Sequence, residues 1–174
     1  MTEPRPLKQV FEQMIQTIRT NPEDGKGTAT TTVRIRSGVT CDIEDGHWKL
    51  VADEMPGDGG AGLGPDPGVF GRAALGTCLA MGYVQWAAYL GVPLDSVSVT
   101  VEADYDARGM LGVDDSISPA WSAVRYIVDI ASPAGEEAVR KVVDQADRRS
   151  PLLADFRHPL AITRELRIGQ TVSD

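Results

Sequence analysis

The sequence predicts an α+β fold built as an antiparallel meander followed by a long buried helix. Three observations carry this. Short β-branched runs cluster at residues 28–52. A stretch with no charged side chain, Ala73–Leu90, reads as one helix apolar on every side. Two alternating runs and a further amphipathic helix follow it. Strands therefore group before and after one central helix instead of alternating with helices as in a parallel array.

The elements follow in order. Leu7, Val10, Phe11, Met14, Ile15 and Ile18 recur at helical spacing, so residues 6–20 form an amphipathic helix that Asn21-Pro22 ends. Residues 1–27 are read as an N-terminal helical extension and linker, and 28–174 as the main domain. Thr28–Arg36, Val39–Ile43 and His47–Ala52 are three strands. Ser37-Gly38 and Glu44-Asp-Gly46 turn the chain between them. Alternation places Val33 and Ile35 on one face, and Arg34 and Arg36 on the other. Residues 55–68 are a Gly/Pro-rich loop. The central helix runs from about Val69 to Leu90, stopped by Gly91 and Pro93. Ser96–Tyr105 and Trp121–Ala131 alternate as strands, with a loop at 107–119 between them. Ser132-Pro133 should cap a helix reaching Arg149. Ser150-Pro151 breaks that helix and caps a short turn, Leu152–Phe156. Leu160–Ile168 is expected as a closing strand.

Composition excludes several classes. The 174-residue chain suits a single main domain with a real core. Its formal charge of −8, with no basic run, argues against nucleic acid and against docking on anionic lipid. The uncharged helix is no membrane span: glycines, Thr77 and Gln85 interrupt it, and no Lys/Arg cluster flanks it. The N-terminus lacks signal-peptide architecture, so the expected location is the cytoplasm, with both cysteines as free thiols.

Few residues offer chemistry. Gly57-Asp-Gly59-Gly-Ala-Gly62 is a literal G-x-G-x-x-G, but Gly64-Pro-Asp-Pro67 separates it from the helix and no acidic residue follows at the required distance. A tight loop is the better reading. His47 and His158 are isolated and no ligand spacing exists, so no metal or cofactor is expected. Cys78 lies mid-helix among apolar residues, where it is either core filler or a positioned thiol. A reactive thiol needs a cation nearby, which Arg34 or Arg36 could supply. Tyr83, Trp86 and Tyr89 lie close by at helical spacing, as core or as the wall of an apolar pocket. Cys41 reads as a small packing residue.

Three segments together resemble the OsmC/Ohr family, the osmotically inducible protein C and organic hydroperoxide resistance proteins. They are Gly59-Gly-Ala-Gly-Leu-Gly-Pro-Asp-Pro67, Ala73-Ala-Leu-Gly-Thr-Cys-Leu-Ala80 and Leu90-Gly-Val-Pro-Leu-Asp-Ser-Val97. The resemblance implies an intertwined homodimer with the central helices buried between subunits. It implies a thiol peroxidase in which Cys78 is the peroxidatic cysteine, with Arg36 (Arg34 second) stabilising the thiolate. Tyr83 and Trp86 would line the substrate pocket. The glutamate that holds the arginine in the family falls on Gly68, and the resolving cysteine falls on Ser150, so both positions are degenerate. Two functions follow from this pattern. One is a one-cysteine organic hydroperoxide reductase served by an external thiol. The other is a non-catalytic homodimer holding an apolar small molecule near Cys78.

Overall fold

The computed structural model describes residues 5–169. The chain begins with α1 (Leu7–Thr20) and continues through β1 (Thr32–Ser37), β2 (Thr40–Asp45) and β3 (Trp48–Ala52). Then come α2 (Pro67–Leu90), β4 (Ser96–Asp104), a one-turn α3 (Ala107–Met110) and β5 (Ala123–Ala131). Helices α4 (Glu136–Asp147) and α5 (Pro151–Arg157) close it. Strands β1-β2-β3 form one antiparallel sheet and β4-β5 a second, so the α+β architecture is present as read.

Helix α2 is set by its ends. Asp66 caps it by accepting from the Val69 N–H at 3.1 Å, and Pro67 occupies the first turn where no donor is needed. At the far end Gly91 adopts φ 71°, and the Val92 and Gly91 N–H groups close back on the Ala87 and Ala88 carbonyls. Between these caps, Leu75, Leu79, Tyr83 and Ala87 fall on one buried stripe. Leu75, Leu79 and Tyr83 pack with Ala146 of α4, Leu153 of α5 and Val97, Val99 and Val101 of β4. Each large side chain fully buried here contributes about 1.5–3 kcal/mol. Helix α1 lies on α2 through Phe11, whose ring meets Trp86 edge-on at 5.2 Å.

The Gly-rich loop has a structural explanation. Asp53, buried at the end of β3, accepts from the N–H groups of Glu54, Ala61 and Leu63 at 2.9, 3.1 and 3.1 Å and from the Thr40 hydroxyl at 3.2 Å. The loop thus wraps an internal carboxylate where a phosphate-binding loop would hold its ligand. A Cβ on Gly60 would sit 1.9 Å from the Glu54 oxygen, and one on Gly64 2.2 Å from the Val51 oxygen, so only glycine fits. Burial pushes the Asp53 carboxyl upward. The backbone bonds and the Thr40 hydroxyl together outweigh it and hold the group below the usual carboxylate range.

Two expectations need correction. Residues 158–169 form no strand: Leu160, Ile162, Leu166 and Ile168 keep the period-two pattern but lie exposed and unpaired. Alternation prepares a strand, and a sheet edge must complete it; this segment joins neither sheet of its own chain. Ser132 does not cap α4. Its hydroxyl donates to the Pro93 carbonyl at 2.6 Å and accepts from the Ala134 N–H, and α4 starts only at Glu136. Among the described residues no helix is long and apolar enough to cross a membrane.

Candidate thiol site

Cys78 stands one turn beyond Leu75 on the flank of α2 that faces the α4–α5 corner. Its sulfur is partly buried, 3.3 Å from the Oγ of Ser150. Ser150 is 7% exposed and caps α5, accepting from the Leu153 N–H at 3.3 Å. Local sequence explains the approach. Gly82, one turn past Cys78, carries no side chain, so α4 comes close enough for Ala146 to touch that point. Ser150-Pro151 then ends the helical run and starts the next helix against the thiol.

The corner is held by a carboxylate that sequence reasoning missed. Asp147 accepts from Tyr83 Oη at 2.8 Å and from Tyr126 Oη at 2.7 Å, tying α4 to α2 and β5. Burial, and then this hydrogen bond, push the Tyr83 phenol far above its usual range, and Tyr126 rises for the same reasons. Tyr83 is therefore fully buried and committed to Asp147. Trp86 is closed in by Phe11, Tyr89 and the Arg149 guanidinium, 4.9 Å over its ring. Within the single chain both expected pocket residues are engaged in packing, as a stripe at helical spacing serves a core as readily as a cavity. Asp147 could have been suspected only from the need of a buried and a half-buried phenol for partners.

A largely apolar cleft of about 510 Å³ lies between β5 and α5, lined by Leu75, Trp121, Tyr126, Leu153, Phe156 and Arg157 among others; neither Cys78 nor Ser150 lines it. Leu75 sits one turn before Cys78, and Leu153 three residues after Ser150. Trp121 stacks on Phe156 at 5.9 Å. It is seated over Gly71, where a Cβ would come within 2.8 Å of the indole. That mid-helix glycine, seven residues before Cys78, was the available sequence signal for this close approach.

Arg36 lies elsewhere. On the exposed meander it donates through Nε to Asp42 at 3.0 Å and through Nη2 to the other carboxylate oxygen. The hydrogen bond and charge of Asp42 hold this guanidinium above its ordinary range. Arg34 pairs with Glu44 at 3.2 Å. Among the described residues no arginine hydrogen-bonds to Cys78. Gly68 occupies the first turn of α2, where a Cβ would lie 3.2 Å from Arg72 Nη1. Position 68 therefore faces Arg72, a guanidinium on the cysteine helix itself. Cys41, on β2, donates weakly to the Val39 carbonyl, and both cysteines are free. Among the described residues no cluster of side chains suits a metal ion.

A two-sheet α+β fold with a free thiol on a capped central helix defines the class. The particular family is given by sequence: the model described as OsmC-like protein matches residues 57–165, and the chain belongs to that family. An OsmC-like protein from Mycoplasma pneumoniae has a similar structure, at TM-score 0.66 and 13% identity, covering 77% of this chain and 90% of that one. An organic hydroperoxide resistance protein OsmC from Legionella pneumophila is similar at TM-score 0.57 and 18% identity, covering 75% and 90%. One from Elizabethkingia anophelis is similar at TM-score 0.56 and 15% identity, covering 77% and 91%. No curated protein matches the chain in sequence.

Proposed function

We propose that this protein is a one-cysteine organic hydroperoxide reductase of the cytoplasm, working as a homodimer with Cys78 as its nucleophile. The observation that carries the reading is the free, partly buried Cys78 sulfur with a hydroxyl at 3.3 Å where a resolving thiol would stand. The names of the Legionella and Elizabethkingia neighbours, organic hydroperoxide resistance proteins, agree with it.

The chemistry balances with two equivalents of external thiol. The Cys78 thiolate attacks the terminal oxygen of R–O–OH. An S–O bond forms, the O–O bond breaks, and the alkoxide leaves and takes a proton from water. The enzyme holds Cys–SOH and the product is ROH. Ser150 offers no sulfur, so no internal disulfide forms with it. One external thiol displaces water to give a mixed disulfide, and a second releases Cys78 and the oxidised reductant. The cleft walls favour an organic over a bare peroxide by burying its apolar part. Arg36 acts on the thiolate in this scheme only if its pair with Asp42 opens.

The homodimer is supported by surfaces left open in the single chain. Helix α2 exposes Ala73, Thr77, Met81 and Val84 along one stripe, and the meander exposes Val33 and Ile35. The engaged state of Arg36 favours the second reading, a non-catalytic protein that binds an apolar molecule in the cleft. Cumene hydroperoxide with dithiothreitol decides between them. The reductase consumes peroxide, Cys78→Ser abolishes consumption, and a sulfenic-acid trap labels Cys78. No consumption and no oxidation of Cys78 under excess peroxide would leave the binding reading.

A further inference from the structure

We propose that Ser150 is a catalytic residue, its hydroxyl proton directed onto the Cys78 sulfur so that it stabilises the attacking thiolate. This rests on the thiol reading of Cys78 and adds the donor that reading lacks. A serine hydroxyl has one proton to give and two lone pairs to receive. The Leu153 N–H occupies a lone pair of Ser150 as the cap of α5. The sulfur lies 3.3 Å from the same oxygen, the one contact open to the hydroxyl proton among the described residues.

In the neutral thiol either group can donate. Once the thiol proton has left to water, only the serine can, so the bond favours the ionised form. A hydrogen bond to an ion is roughly twice as strong as one between neutral groups. At 7% exposure little water competes for this one. The serine keeps its own proton throughout. After S–O bond formation the same hydroxyl lies beside the sulfenic acid, which waits for an external thiol.

Among the described residues Ser150 is the group that hydrogen-bonds to the Cys78 sulfur, and the surroundings hold it there. Asp147, three residues before Ser150, is anchored by Tyr83 and Tyr126. On α4 and its end Asp147 is bonded to those phenols, Arg149 lies over the Trp86 face and donates to the Gln145 carbonyl, Arg148 donates to the Gln145 side chain, and Asp144 is exposed. On β5 Arg125 pairs with Glu102 and Asp104. On α5 Asp155 and Arg157 are exposed, Arg157 on the rim of the cleft beside Tyr126. On α2 Arg72 lies six residues back, toward Gly68.

The test is the rate of Cys78 alkylation by iodoacetamide against pH, in a Cys41→Ser background so that one thiol reports. In Ser150→Ala the pH–rate profile moves up by about one unit and the rate near neutrality falls about tenfold. Ser150→Gly shows the same shift while nearly preserving the helix cap, so a folding defect in the alanine variant does not decide the outcome. Ser150→Thr keeps hydroxyl and cap and restores the profile. An unchanged profile in the alanine and glycine variants overturns the proposal, as does a threonine variant that behaves like alanine. Peroxide consumption is measured separately. A shifted profile without consumption keeps the serine's hold on the thiolate and removes the reductase reading; consumption with an unshifted profile does the reverse.

Discussion

The two halves of this chain differ in how completely they are built. Around α2, the side chains of β4, β5, α4 and α5 close over Leu75, Leu79 and Tyr83, which are at most 1% exposed. The meander has correct ladders and turns, yet Val33 and Ile35 are 56% and 64% exposed and Trp48 is 62% exposed. Its firm attachment is Asp53, held in the glycine loop. Hydrogen bonding alone thus shapes a sheet without giving it a core. An apolar face of this size on an isolated sheet marks a contact surface, and in the homodimer proposed above that surface is what a second copy covers.

Core and open-face substitutions separate the halves. Leu79→Ala removes a fully buried side chain from α2 and should destabilise by about 2–5 kcal/mol in urea melts, whatever the protein concentration. Met81→Asp alters the open stripe of the same helix. In a dimer it buries an unpaired carboxylate, so self-association should weaken at least about a hundredfold in sedimentation experiments. A wild-type chain that sediments as a monomer at micromolar concentration would remove the dimer from the proposal.

The sequence exposed the local elements of both halves, the meander strands included, and missed the long-range contacts that join them. Element order, the long helix and its glycine stop were legible because caps and periodicity are local. The Asp147 clamp was not, since it joins residues from α2, β5 and α4 that no short motif links. The sulfur–serine contact could be anticipated only through the family resemblance, which had placed Ser150 at a resolving position. The strand expected at 160–168 shows the limit from the other side. Its alternation is correct, but pairing depends on an edge this chain does not give it.

Asp53→Asn tests the side-chain attachment of the meander to its loop. The amide cannot present two charged oxygens to three N–H groups and a hydroxyl, so the loop at 55–64 should open to limited proteolysis while the melting of the α2 core changes less. Wild-type protein should show the same opening in acid. A carboxyl held below its unfolded value of about 3.9 contributes stability above that pH and loses it as pH falls through the lower folded value. Protease resistance of the loop should therefore hold at neutrality and fail below about pH 4. The Asp53→Asn variant should lack this transition. Equal acid sensitivity in both would place the titrating group elsewhere.

Tyr83→Phe probes the closed half at its polar point and has the smallest expected effect. The ring and its packing stay, and only the hydroxyl that meets Asp147 is removed. The expected loss is about 1–3 kcal/mol, because Asp147 keeps Tyr126 but loses one of two donors. The pH dependence has the opposite sign to that of Asp53. A phenol raised in the folded state contributes fully below the unfolded value of about 10 and loses that contribution as pH climbs toward the folded one. Stability of the wild type should thus decline above about pH 10, and more steeply than that of the phenylalanine variant. Tyr126 contributes in the same direction, so the variant keeps part of the slope. If the two curves run parallel, Tyr83 is not what couples the α4–α5 corner to the cysteine helix. The Ser150–Cys78 contact would then depend on the apolar packing of α2 against α4 and α5, at Gly82 and Ala146 and at Leu75, Leu79 and Leu153.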